Sequence, residues 1–299
     1  VKVIIQPDAG SAPVVQVIRR ARRAVAICIF RLDRPEIEEA LGAAVARGVK
    51  VSALIAHTNR GGENRLRKLE QRLLAAGVTV ARTSEELLRY HGKFLVVDDV
   101  LHVFAFNLTK VDLTRSRSFG ISTRDKRTVE EALKLFKADM TRRPYRPSRS
   151  NLVVSPETSR EMLAAFLKGA RKELAIYDAK IQDPAMIRII KERAAKGVRV
   201  RVLGNLKGPD GAVIVRPVRS IRLHVRAIIR DGTRAFVGSQ SLRKTELGNR
   251  REVGLLISNP VVTRKLMQVF EADWDANAKD KDKDKDKRKE EKDQEPTAA

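Results

Sequence analysis

One cysteine in 299 residues, Cys28, has nothing to pair with. That excludes a disulfide framework within the chain and any zinc site built from cysteines. Cys28 lies in the apolar run AVAICIF and reads as a small core residue. Aromatic residues are only 4% of the sequence, which weakens a stacking platform for single-stranded nucleic acid. No apolar stretch nears the roughly 18 residues that a membrane-spanning helix needs. Acidic residues fall well short of basic ones, 37 against 61, for a formal charge of +24. From Lys279 onward the tail holds eight basic and eight acidic residues, so the whole excess belongs to residues 1–278. A single-sign field of that size is unusual for solubility alone. A body so basic expects polyanions: nucleic acid, an anionic membrane surface or a phosphate-bearing substrate. The first residue, Val1 rather than Met, reads as a trimmed start. No charged–apolar–small pattern follows it, so the compartment stays open, soluble or peripheral, with a removed leader not excluded.

What is present is repetition. Ala24-Val25-Ala26-Ile27 matches Glu173-Leu174-Ala175-Ile176 at an offset of 149, and Gly48-Val49-Lys50-Val51 matches Gly197-Val198-Arg199-Val200 at the same offset. Leu135-Phe136-Lys137-Ala138-Asp139 matches Val269-Phe270-Glu271-Ala272-Asp273 at 134. Two constant offsets mean a duplication with one deletion, between Val200 and His224. In the first copy that interval holds residues 62–77, where Leu66, Leu69, Leu73 and Leu74 recur at helical spacing. The second copy is expected to lack this helix. Strand-like and helix-like runs alternate along both copies, which argues an α/β fold: two tandem repeats, each a mixed sheet flanked by helices. Residues 1–140 form the first repeat, 141–150 a Pro- and Arg-rich linker, and 151–278 the second. The alternating Lys-Asp run within 279–299 places like charges four apart and holds no apolar anchor, so this tail is expected to be disordered.

Histidine is scarce, and half of it is patterned. His91-Gly92-Lys93 is followed after four residues by Asp98, and His224-Val225-Arg226 after four by Asp231, an offset of 133. In a strand, residues i and i+2 share a face, so each imidazole projects beside a cation. That pairing suits a phosphate, with the cation neutralising oxygens while the imidazole attacks or donates a proton. The aspartates have the opposite parity, and spacing alone does not bring them to their own histidines. The remaining candidates read blandly. His57 is a loop residue at a strand's end, and His102 alternates with Phe104 and Phe106 in a strand without chemistry. Arg19, Arg20, Arg22 and Arg23 form a solvated helix face, and Trp274 packs the last helix.

The two patterns resemble the paired HxKx4D motifs of the phospholipase D superfamily, in the manner of its cardiolipin synthase-like bacterial members. The flanking residues agree. Gly238-Ser239-Gln240-Ser241 and Phe104-Ala105-Phe106-Asn107 align at 134 where the family carries G-S-x-N. Arg251-Glu252-Val253-Gly254 resembles the family's trailing acidic strand, and its counterpart Arg117-Ser118-Phe119-Gly120 has Ser for Glu. The resemblance covers nearly all of residues 1–278. It implies two copies packed about a pseudo-twofold axis, with both motifs in one cleft. It also implies a covalent phosphohistidine mechanism without metal or cofactor. His91 is then the nucleophile and His224 the acid/base. Lys93 and Arg226 hold the non-bridging oxygens with Asn107 and Ser239 assisting, and Asp98, Asp231 or Glu252 orient the imidazoles. Arg226 departs from the family's Lys. The substrate implied is a phosphodiester, first a phospholipid with peripheral contact to anionic membrane, alternatively nucleic acid. A non-catalytic binder of anionic polymers or membranes is the third reading. With both motifs in one chain, a monomer suffices.

Overall fold

The computed structural model describes residues 1–59, 61–209 and 211–292, with side chains through residue 278. The expected disordered tail, 279–299, lies outside the residues described in full. The first half runs β1 (Lys2–Gln6), α1 (Ala12–Arg19), β2 (Ala24–Ile29), α2 (Pro35–Ala46), β3 (Lys50–Ile55), α3 (Glu63–Ala75), β4 (Thr79–Arg82), β5 (Arg89–Tyr90), β6 (Phe94–Val97), β7 (Val100–Phe104), α4 (Lys110–Arg115), β8 (Ser116–Thr123) and α5 (Lys126–Met140). The second runs β9 (Leu152–Val154), α6 (Ser159–Lys168), β10 (Glu173–Ile181), α7 (Pro184–Ala195), β11 (Arg199–Leu206), β12 (Val213–Arg216), β13 (Arg222–Leu223), β14 (Arg226–Arg230), β15 (Arg234–Gly238), α8 (Lys244–Gly248), β16 (Arg250–Arg251), β17 (Val253–Ile257) and α9 (Pro260–Lys292). Among the described residues, α3 has no counterpart between β11 and β12, as the change of offset implies.

Local chemistry repeats with the fold. Pro35 and Pro184 each open a helix at its first turn, where the missing N–H costs nothing. Asp183 adds a side-chain cap, accepting from the N–H groups of Ala185 and Met186. Gly48 and Gly197, both at φ +82°, stop those helices in a backbone region that other residues rarely enter. The first sheet orders β1-β8-β7-β6-β2-β3-β4 and the second β12-β11-β10-β14-β15-β17-β9. Both are mixed: β2, β3 and β4 run parallel while β6, β7, β8 and β1 pair antiparallel.

Two outer cores lie under α1–α3 and under α6–α7. A third joins the halves. Phe94, Val96 and Phe119 from one sheet meet Ala227, Val237 and Val253 from the other, with Phe136 of α5 and Phe270 of α9 in the same cluster. Trp274 stacks on Phe270 in this layer, as the sequence suggests. The linker is tied down through buried Tyr145, whose hydroxyl donates to Glu131 of α5 at 2.6 Å.

The halves also exchange contacts reciprocally. Arg117 pairs with Asp273 at 2.8 Å, and Arg251 pairs with Asp139 at 3.1 Å. These arginines and aspartates correspond to one another at the 134 offset, which is the signature of a pseudo-twofold axis. Arg251 is buried among Asp139, Glu157 and the Ser155 carbonyl. Burial pushes the Asp139 carboxyl up to about 6 despite Arg251 beside it. Removing a partner of a buried ion pair leaves an uncompensated charge. Arg251→Ala is therefore expected to cost about 3–5 kcal/mol of stability, read as a lower denaturant midpoint; an unchanged midpoint would refute this account.

Candidate active site

Each patterned histidine is placed by the opposite half. The short strand β5 pairs in parallel with β16, and β13 pairs in parallel with β8. The residue after each pairing is a histidine. The His91 N–H donates to the Arg251 carbonyl at 2.7 Å, and the His224 N–H to the Arg117 carbonyl at 3.1 Å. Both imidazoles thus enter the seam between the halves, just ahead of β6 and β14.

The carboxylates cross the seam as well. His91 Nδ1 lies 2.8 Å from Glu252 Oε2, a fully buried carboxylate of the second half. His224 Nδ1 lies 3.1 Å from Asp112 Oδ2, from α4 of the first half. Nδ1 of each ring thus faces a carboxylate of the opposite half. Lys93 Nζ sits 3.0 Å from His91 Nε2 and 3.1 Å from Nδ1, so cation and imidazole stand together, although residues 91–93 lie between β5 and β6 and not in a strand. Phe30 stands edge-on to the His91 ring at 4.4 Å.

Electrostatically this is one site. Burial is the largest influence on His91 and holds it down at about 3, with Glu252 opposing and Lys93 and Arg226 reinforcing. Burial likewise lowers His224 to about 4, with Asp112 opposing and the same two cations reinforcing. Both imidazoles are therefore neutral near neutrality, the state a nitrogen nucleophile requires. Lys93 is lowered to about 7, by burial first, with Glu252 opposing and Arg226 adding to the fall. Burial works against ionisation of Asp112, but His224 and Asn107 outweigh it and hold the carboxyl well below the usual range.

The other sequence candidates fall into place unevenly. Asp98 and Asp231 are not at the imidazoles. Each turns a hairpin at φ near +51°, and each carboxylate accepts backbone N–H groups where the chain enters a central strand. Asp98 holds Arg22, Arg23 and Ala24, and Asp231 holds Arg171, Lys172 and Glu173. Asn107 donates from its side chain and its backbone to Asp112 Oδ2, at 2.7 and 2.8 Å. Ser239 bonds the Val253 N–H at 3.1 Å and helps to keep Glu252 ionised. Both therefore stand behind a carboxylate. Arg226 reaches Ser241 Oγ at 3.2 Å, and Ser241 donates to buried Asp178 at 2.7 Å. His57 lies 3.2 Å from exposed Glu85 and takes no part.

Asp112 is the residue that sequence reasoning missed. Its signal is the alignment of Asn107-Leu108-Thr109-Lys110-Val111-Asp112 with Ser241-Leu242-Arg243-Lys244-Thr245-Glu246 at the 134 offset. Ser118, which stands where the second half has Glu252, donates instead to the His224 backbone carbonyl at 2.9 Å. Arg222 closes over Asp112 Oδ1 at 2.6 Å. Among the described residues, no group of three or more His, Cys, Asp or Glu is arranged to hold a metal ion.

The chain matches the family model described as cardiolipin synthase, PLD-like domain, over residues 14–140 and 163–274. Polyphosphate kinase from Porphyromonas gingivalis is similar in structure, with a TM-score of 0.76 and 17% identity. The match covers 91% of this chain and 50% of the kinase, so the chain spans about half of that protein's length. Phosphatidylserine synthase from Haemophilus influenzae Rd KW20 is similar at a TM-score of 0.68 and 14% identity, covering 92% of this chain and 85% of that one. The phospholipase D family member Nuc from Salmonella typhimurium matches at 0.44 and 22%, covering 50% of this chain and 97% of Nuc. No protein of curated function matches the sequence.

Proposed function

This chain belongs to the cardiolipin synthase, PLD-like domain family of the phospholipase D superfamily, and on that premise we propose that it is a phosphodiesterase or phosphatidyltransferase working through a phosphohistidine. The observation that carries the reading is the crossed arrangement of two neutral imidazoles, each backed by the other half's carboxylate, with Lys93 and Arg226 acting on both. Nε2 of His91 attacks phosphorus, and the bond to the leaving oxygen breaks. His224, protonated once the substrate's negative charge offsets the two cations, gives its proton to that oxygen. In the second step His224 takes a proton from water or an alcohol. The new oxygen bonds to phosphorus, the P–N bond breaks, and His91 returns neutral. Glu252 stabilises the imidazolium character that develops on His91. Lys93 and Arg226 hold the non-bridging oxygens as charge builds on them. The scheme uses no metal, and EDTA is expected to leave the rate unchanged.

A phospholipid is the first substrate reading, supported by the family whose model the chain matches. A nucleic acid is the second, favoured by the +24 charge. Anionic vesicles and labelled oligonucleotides in EDTA separate them. Head-group release supports the first, and strand cleavage that falls steeply with salt supports the second. Turnover of neither, with both bound, would leave only a binder.

The lowered Lys93 sets the pH response. The substrate's anion needs the ammonium form, which the free protein loses as pH rises through about 7. kcat/KM is therefore expected to decline above neutrality, while kcat at saturation declines at higher pH because the bound phosphate retains the proton. Lys93→Arg, whose charge does not titrate, should remove the alkaline decline. A profile in the native protein that stays flat well past neutrality would contradict this assignment.

A further inference from the structure

In the outer strands of the first sheet, β1, β8 and β7, the two halves differ in a way the duplication makes visible. In the first half, Lys2, Ser122 and His102 stand side by side across β1, β8 and β7. The second half fills the equivalent row with Asn151, Leu256 and Phe236. An apolar pair has thus become a polar one beside a cation. His102 is 7% exposed and Ser122 8%, and neither side chain has a hydrogen bond from any described residue. Their polar atoms are not sealed in the interior and open instead onto the space beside the sheet.

Both side chains line a cavity. Spaces of about 750 and 350 Å³ adjoin here, sharing Lys2, Val17, Arg20, His102 and Ser122 as walls. That is the size of a small-ligand site, which ordinarily combines apolar walls with a few placed polar groups. Val17 and Ile4 supply apolar wall, and Lys265 of α9 adds a cation to the larger space. Three carboxylates also line these spaces and stand outside the row. Asp98 is taken by three backbone N–H groups and Asp99 by Arg23, which leaves Asp8 on the rim. The row therefore offers an imidazole N–H, a hydroxyl and two or three cations, all donors, over an apolar floor.

We propose that this cavity is a second binding site, for a small ligand bearing a phosphate or like oxyanion on a compact apolar body. His102 and Ser122 donate to the oxyanion, Lys2 and Arg20 neutralise it, and Val17 and Ile4 cover the apolar part. The site stands apart from the histidine pair and does not depend on what that pair does.

The chain has four histidines, so each imidazole is resolvable by NMR and assignable by single substitution. Phenyl phosphate and inorganic phosphate are the probes. Phenyl phosphate is expected to shift the His102 signals saturably at millimolar concentration, and inorganic phosphate to do so roughly tenfold more weakly. Lys2→Glu and Arg20→Glu, on exposed positions, should each weaken the His102 response roughly tenfold while leaving the His91 and His224 responses intact. The double variant His102→Phe, Ser122→Leu installs the pair that the second half already folds around, and should abolish calorimetric binding at this site. Signals of His102 that neither probe moves, or a shift indifferent to both charge reversals, would overturn the site. Equal response to the two probes would overturn the apolar component. Changes confined to His91 and His224 would show phosphate binding at the catalytic pair alone.

Discussion

His91→Ala should lose turnover of bis-p-nitrophenyl phosphate in EDTA by on the order of 10⁴-fold, since it removes the proposed nucleophile itself. His224→Ala should lose a similar amount at steady state, and the double variant little more than either alone, because residues acting as a unit are not additive. The two single variants part company before steady state. Nitrophenolate departs without needing a proton, so His224→Ala should still complete the first step. It should release about one equivalent of nitrophenolate in a burst and stall as an acid-labile phosphoenzyme. His91→Ala should show no burst. A burst in His91→Ala but not in His224→Ala would reverse the assigned roles, and a burst in neither would argue against a covalent intermediate. Because both imidazoles are already neutral in the free protein, the first turnover should not require acid.

Much of this arrangement is written locally. Offsets of 149 and 134 locate the duplication and the absent helix, because a deletion leaves the spacing on either side intact. His91 and Lys93 remain side by side in the structure, in the connection between β5 and β6 and not in a strand. The aspartates sit in the hairpin turns that follow β6 and β14. Asp98 and Asp231 point away from their histidines, and their carboxylates secure the backbone entering β2 and β10. The motif's third residue thus acts on the strand that supports the site.

What spacing does not carry is anything that crosses the seam. Glu252 is separated from His91 by 161 residues and Asp112 from His224 by 112, and no periodicity links them. The crossing follows from β5 on β16 and β13 on β8, pairings of two residues each that carry no strand signal of their own. The Arg226 departure is likewise intelligible only in three dimensions. Its guanidinium reaches Ser241, which fills the position of Asn107 in the other half and leans on buried Asp178. Arg226 and the altered Ser241 are thus in contact with each other.

Ser118 and Asp112 make the same point in a form that mutation can address. The first half lacks the strand carboxylate that the second keeps as Glu252, yet His224 is not left bare, because Asp112 approaches from α4. If that is compensation, Asp112→Asn should lower kcat by about 10²–10⁴-fold with little change in KM, since the amide disfavours the required imidazole tautomer without emptying the site. The imidazole NMR signals of His224 should report the changed tautomer, which a merely structural loss would not produce. Asp112→Ala should be at least as poor, because Arg222 and the Asn107 amide lose their acceptor with it. Adding Ser118→Glu to Asp112→Ala returns a carboxylate to the position that pseudo-symmetry makes equivalent to Glu252. From there it should reach His224 as Glu252 reaches His91, and recover most of the lost kcat. Recovery would show that the site requires one carboxylate across the seam for each histidine, whichever element supplies it. A folded double variant as inactive as Asp112→Ala would mean that α4 provides something more than the charge, and the compensation account would fail.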